Sequence, residues 1–346
     1  MWTSITASKA DSASPSGVLL GPVRRQGRGG QSLLSALLAS LILLTGGSGV
    51  QAGQAGDLVI VTAEGSHEIV FLDGTSRQIQ ARVPSGVAPH NLALRADGKL
   101  LLATAPAAGE VVVLDLQGPR IRGRLTFGPK PHGAAFLPDG TAYVAYEGIP
   151  MLRRVDPMSL SVRATISLLE PPHNIAVSPD GQVALLTSLG SSRIWLINIQ
   201  RDEVTDKIQT AGSPHDVAFE PRGQVAWITN WESSLIFRLD LGSRRVMVVP
   251  TGGKSPHHLA VRPDGKEVWI TNHRSGDVTV VTTADREEAA RIPAGKGPHH
   301  IAFSRDGRRA YVANNISGDV TVIDVATRRV VGQIPAGRGL HGVAVW

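Results

Sequence analysis

A proline–histidine dipeptide returns through this chain at an almost constant interval, and that period constrains the fold more than any other property of the sequence. It stands at Pro89-His90, Pro131-His132, Pro172-His173, Pro214-His215, Pro256-His257 and Pro298-His299, and a Leu340-His341 variant ends the series. Successive histidines are 42 residues apart except His132 and His173, which are 41 apart. A period of this size marks a repeat architecture whose units are single supersecondary elements. One histidine therefore takes an equivalent place in each unit. If the units close into a ring, seven imidazoles face one axis.

Alignment on the histidine brings the rest of the unit into register. Seven residues later comes a turn, at Asp97-Gly98, Asp139-Gly140, Asp180-Gly181, Arg222-Gly223, Asp264-Gly265 and Asp306-Gly307. Four of these follow a proline (Pro138, Pro179, Pro221, Pro263). Proline presets φ, aspartate caps locally and glycine takes positive φ, so each triplet turns the chain between two strands. The stretch from histidine to turn is then a short first strand. A second follows in runs such as Ala226–Thr229, Val268–Thr271 and Ala310–Ala313, a third in Asp319–Asp324 and a fourth in Arg329–Ile334. Four short strands per unit, with no helical period, predict an all-β fold of propeller blades.

The two ends predict how the ring closes. The chain stops at His341–Trp346, a first strand alone, and its strand pattern begins at Asp57–Thr62, a second strand. Residues 68–73 and 78–83 supply the third and fourth strands of that unit. Six internal blades (89–130, 131–171, 172–213, 214–255, 256–297, 298–339) and one shared between 340–346 and 57–88 make a seven-bladed β-propeller over residues 53–346. A blade built from both termini also removes a loose sheet edge.

Residues 1–52 read differently. Arg24, Arg25 and Arg28 precede an apolar run, 33–44, and small residues follow, with Val50-Gln51-Ala52 as the expected cleavage site. A basic region, a short apolar core and small residues make a signal peptide, here behind a polar lead. The run is shorter than the roughly 20 residues a membrane span needs. The protein is accordingly expected to be periplasmic or secreted, with no transmembrane helix after cleavage, and monomeric. The basic pI near 10 belongs partly to this leader. Lys9 and the three arginines against Asp11 carry three of the six net charges. The rest is too dilute and too dispersed for nucleic-acid binding. Cysteine is absent, which excludes disulfides, thiolate metal sites and a cysteine nucleophile.

Tyr311-Val312-Ala313-Asn314, Ile228-Thr229-Asn230 and Ile270-Thr271-Asn272, the last followed by Gly276-Asp277-Val278-Thr279-Val280, resemble the YVTN-type β-propeller repeat. The resemblance spans nearly all of residues 57–346. It implies fold; a propeller hosts many activities, so it does not imply function.

Function turns on the histidines. His90, His132, His173, His215, His257, His299 and His341 would crowd one mouth of the channel as metal ligands. Converging neutral imidazoles suit transition metals, and without thiolates the order of affinity favours copper(II), with zinc or another divalent ion as the alternative. His258, His300, Asp216, Asn91 and Asn174 directly follow blade histidines and are candidates for additional ligands or for acceptors that fix imidazole tautomers. Loops on the same face carry Glu64, His67, Glu147, Trp231, Glu232, His273 and Arg274, of which Trp231, Glu232, His273 and Arg274 are the candidate substrate contacts. The ring resembles the histidine-rich copper centres in the propeller domains of nitrous oxide reductase and thiocyanate dehydrogenase. That resemblance implies a copper-binding oxidoreductase working with a small molecule or a redox protein of the envelope. Two alternatives stay open: a metal-dependent lyase or lactonase, as in streptogramin lyases, and a non-catalytic envelope scaffold. A structural reading also stands, because WD-repeat propellers carry a hydrogen-bonded histidine in each blade. Against it, the end of the second strand, where a fixed ring partner would sit, reads Ala63, Ala105, Tyr146, Ser188, Asn230, Asn272 and Asn314.

Overall fold

The structure, a computed structural model, describes residues 56–346; the signal-like segment 1–52 lies outside the described residues. Among the described residues, twenty-eight strands form seven four-stranded antiparallel sheets. We number the blades 1–7 from the N-terminus. Their first strands are Leu340–Val345 (blade 1), Leu92–Leu94, Pro131–Phe136, Ile175–Val177, Pro214–Phe219, Pro256–Val261 and Pro298–Phe303 (blade 7). Each first strand packs against that of the next blade around a closed circle, so the first strands line the axis.

Blade 1 joins both termini as its two end strands require. Val59 pairs with Val345 and Val61 with Val343. Leu58 and Trp346 exchange two 2.9 Å backbone hydrogen bonds. Arg305 lies over the Trp346 ring.

Burial follows strand position. Second strands such as Leu100–Ala105 and Val225–Asn230 are buried throughout, because a blade is covered by a neighbour on each face. This explains their unbroken apolar runs. Fourth strands, such as Ile79–Pro84, alternate and face solvent. Trp227, Trp269, Tyr143 and Tyr311 fill the space between blades with full burial. One apolar cluster joins Val59 and Val70 of blade 1 to Tyr311 and Val322 of blade 7, so closure is sealed by packing as well as by pairing.

The asparagine of the repeat motif is a structural clasp. Asn272 donates to Asp277 (2.7 Å) and Thr279 (2.8 Å), and Asn314 donates to Asp319 and Thr321. Each fastens the end of a second strand to the start of the third.

Candidate metal centre

A β-bulge places the histidine in five of the seven blades. In blade 5, Pro214 faces Asn230 and Val217 faces Ile228, so one more residue is fitted on the first strand than on the second. The same shift recurs in blades 1, 3, 6 and 7. A bulge interrupts the ladder and re-aims side chains, which turns the histidine toward the axis. It also leaves a backbone N–H without a ladder partner, and a threonine hydroxyl takes it up. Asn91, Asn174, Asp216, His258 and Gly342 donate their N–H to Thr104, Thr187, Thr229, Thr271 and Thr62. The same hydroxyls donate onward to the carbonyls of His132, His215, His257, His299 and His90 in the following blade. The threonine therefore fixes the backbone of the next blade's histidine and leaves its ring free. This is the repeating partner of the histidine, one residue before the strand-end position where a ring partner was sought. Blades 3 and 7 carry Ala145 and Ala313 there instead.

The seven imidazoles converge. Around the circle from His341 through His90, His132, His173, His215, His257 and His299 back to His341, ring centroids are 3.4, 4.7, 3.8, 4.5, 4.3, 3.9 and 4.3 Å apart. Of these rings only His90 and His299 are partly exposed. Burial holds His132, His173, His257 and His341 well below the usual histidine range, His215 at about 3 and His299 at about 2. At neutral pH these six rings are neutral, the form that ligates metal.

Their partners divide the circle into two arcs. From blade 2 to blade 4 the rings are engaged. His90 meets Glu64 at 3.2 Å and the Nε2 of His132 at 3.0 Å. His132 lies 3.2 Å from Asn174 and 3.3 Å from Asn91, and His173 lies 3.3 Å from Glu147. From blade 6 through blade 7 to blade 1, the Nδ1 atoms of His257, His299 and His341 are buried with no hydrogen-bond partner among the described residues. A buried polar atom left unpaired costs about 1–3 kcal/mol, so such a cluster demands an explanation. One ring nitrogen from each of these three lies within 4.8 Å of the others. A second group of the same tightness is His132, Glu147 and His173. Zinc- or copper-type bonds near 2.0–2.1 Å set ligand nitrogens roughly 3.3–3.6 Å apart, which small side-chain rotations reach from here. His215, between the arcs, is held by the carbonyl of His257 at 2.9 Å.

A second polar layer lies beneath the rings. Asn91 donates to Asn174 (3.1 Å) and Asp216 faces His258 (3.4 Å). His258 stacks on His300 at 4.0 Å, and His300 approaches His341 at 4.9 Å. In blades 3 and 1 the same position is Gly133 or Gly342. A Cβ on Gly133 would fall 2.7 Å from the Asn174 backbone, and one on Gly342 would fall 2.9 Å from the carbonyl of His90.

The loop residues separate. Trp231 stacks on His215 (5.4 Å) and meets His257 edge-on (5.1 Å), while His273 lies 4.8 Å from His299. Glu64 and Glu147 reach His90 and His173. Arg274 is exposed beside His273. Glu232 and His67 are exposed and make no side-chain hydrogen bond or ion pair among the described residues.

Fold and site together define a seven-bladed β-propeller with a histidine-lined channel mouth, and its repeats fit the YVTN-type propeller family. Residues 286–346, the end of blade 6, all of blade 7 and the closing strand, match the family model of the YNCE-like beta-propeller. No curated protein matches the chain. Among solved structures it is similar to hydrazine synthase of Kuenenia stuttgartiensis, with 23% identity and a TM-score of 0.69 over 81% of this chain and 98% of that one. It is also similar to a functionally unknown protein from Desulfotomaculum acetoxidans, with 16% identity and a TM-score of 0.74 over 83% and 98%. At these identities the likeness concerns the fold.

Proposed function

We propose that this is an exported propeller that holds a transition metal ion at the mouth of its channel, with His257, His299 and His341 as principal ligands. The observation that carries the reading is a trio of adjacent imidazoles, each with a buried, unpaired Nδ1 and each offering one ring nitrogen within 4.8 Å of the others. Burial keeps these rings neutral, so binding metal displaces no proton from them at neutral pH. A donor set of neutral nitrogen without thiolate suits copper(II) first and zinc(II) second. His300, Asp216, His258, Asn91 and Asn174 form the polar layer that would orient the ligand rings. Trp231 would shield His215 and His257 from water on the loop side. Residues 1–52 would direct the chain to the periplasm. The bound ion would supply Lewis acidity or, as copper, one-electron chemistry; the protein's part is to hold the rings and exclude solvent.

The group His132, Glu147 and His173 supports a second ion, because its carboxylate would offset metal charge. The test is elemental analysis of untagged protein purified from the periplasm, with competitive titration of the metal-free form. Near-stoichiometric copper or zinc, lost in H257A/H299A/H341A, is the expected outcome. Wild-type protein that takes up neither ion, or a triple variant that retains it, overturns the reading.

A further inference from the structure

The loops above the His257–His299–His341 trio are cationic. Lys254, Arg274, Lys296 and Arg338 come from consecutive loops of blades 6, 7 and 1, all four are exposed, and none is within 4 Å of a carboxylate among the described residues. The backbones of these loops are stitched together. Arg274 donates its N–H to the carbonyl of Lys254 (3.2 Å), Lys254 donates to the Ser275 hydroxyl (3.1 Å), and Lys296 donates to that of Ser317 (3.0 Å). Between blades 6 and 7 they enclose a cleft of about 400 Å³ lined by His273, Arg274, Ser275, Lys296, Gly297 and Ile316. Gly297 keeps it open: a Cβ there would lie 2.8 Å from Ile316 and 3.0 Å from His273. The inner wall leads to the trio, since His273 lies 4.8 Å from His299, its one partly exposed member. The Nδ1 of His273 is itself buried without a hydrogen-bond partner among the described residues.

We infer that this cleft binds a small oxyanion, a carboxylate or an inorganic one, held by Arg274 and Lys296 against the His299 side of the trio. The inference deepens the metal reading and rests on it in one respect. Three neutral imidazoles leave a divalent ion's charge uncompensated: the loop carboxylates Glu64 and Glu147 pair with His90 and His173 of the other arc, and Asp216 beneath the ring is engaged by His258 and the N–H of Leu259. An anion entering beside His299 would balance that charge and complete the coordination. Arginine suits this role because its planar fork bonds two oxygens at once. The surrounding cations raise the local anion concentration, an effect that salt screens over about 8 Å at physiological ionic strength.

The experiment is calorimetric titration with sodium sulfate and sodium acetate at low ionic strength. Metal-free and copper-loaded full-length protein are compared with R274Q/K296Q and with K266Q, a control on the opposite face. Saturable binding to metal-free wild type, weakened about tenfold or more in R274Q/K296Q and unchanged in K266Q, is expected. Copper should tighten the binding. No saturable binding, or equal binding by all three proteins, overturns the cleft as an anion site whatever the fate of the metal reading. Anion binding to a protein that takes up no metal would keep the cleft and discard the charge-balance argument. A response to sulfate alone or acetate alone would rule out the shared-oxyanion specificity.

Discussion

The two arcs of the histidine ring have nearly the same ligand chemistry but differ in satisfaction: each ring of one has a side-chain partner, although the Nε2 of His173 is unpaired, and no Nδ1 of the other has one. On the arc of blades 2 to 4, Glu64, Glu147, Asn91 and Asn174 supply partners for His90, His132 and His173. On the arc of blades 6, 7 and 1, the Nδ1 atoms of His257, His299 and His341 are unpaired among the described residues, and one ring nitrogen of each lies within 4.8 Å of the others. Part of the difference lies in the loop carboxylates Glu64 and Glu147 and part in the residue after each histidine. On the first arc Asn91 and Asn174 reach the ring of His132, and Gly133 lets its backbone bond the carbonyl of His173. On the second arc His258, His300 and Gly342 fill the position; His258 stacks on His300 and faces Asp216, which follows His215 between the arcs. The repeat thus brings seven histidines to one mouth, and loop carboxylates together with the residue after each histidine decide which rings stay available.

The largest expected effect breaks this comparison directly. H257A/H299A/H341A should lose copper or zinc affinity by about a thousandfold or more, because no ligand set of the open arc remains. H90A/H132A/H173A should lose about tenfold, through altered positioning alone. Competition with a chromogenic chelator reads both. Equal losses would mean that the ring acts as one site and that the division into arcs has no functional meaning.

Acid should sharpen the contrast next. Unfolded histidines bind protons near pH 6.5, whereas burial keeps the folded His299 at about 2 and His257 and His341 well below the usual value. The unfolded state therefore takes up more protons as pH falls. Stability contributed by these neutral rings is whole above pH 6.5 and declines below it, by up to about 1.4 kcal/mol per pH unit per ring. Urea midpoints of the metal-free protein from pH 7.5 to 5.5 should drop steeply. H299Q should flatten the slope by about one ring's share. An unchanged slope would show that His299 is hydrated in solution.

A smaller effect concerns the device both arcs share. T229V removes the hydroxyl that accepts from Asp216 and donates to the carbonyl of His257 (3.0 and 2.9 Å). Its loss strands a buried N–H and should cost about 1–3 kcal/mol in chemical denaturation. Blades 3 and 7 lack this threonine, so the fold tolerates its absence, and T229V should unfold cooperatively at a lower midpoint. No change in midpoint would show that water replaces the hydroxyl.

The blades, their number and the closing strand were legible because a repeat is a symmetry: a spacing of 42 and a chain ending on a first strand admit few arrangements. Convergence of the histidines followed from the same symmetry. What breaks the symmetry was not legible. Asn91, Gly133 and Asp216 are visible as letters, but whether a side chain or a backbone bridges to the next blade depends on how closely the inner strands approach. Glu64 and Glu147 reach the ring from loops whose conformations no period governs. The threonines lay in plain view at Thr62, Thr104, Thr187, Thr229 and Thr271, 28 residues before the next histidine.

The smallest expected effect tests whether the engaged arc is a scaffold. Glu147 is about one-third exposed and meets His173 at 3.3 Å. E147Q keeps an oxygen to accept from the ring and removes only the charge. A partly exposed pair of this kind is worth about 0–1 kcal/mol, so the thermal midpoint should move by little. First-ion affinity should change less than tenfold, since the open arc does not use this carboxylate. If E147Q instead loses affinity as severely as the open-arc triple variant, the anionic charge is a primary determinant of binding. The ion then belongs with His132, Glu147 and His173, and the unpaired nitrogens opposite would have to be explained by the anion cleft beside them.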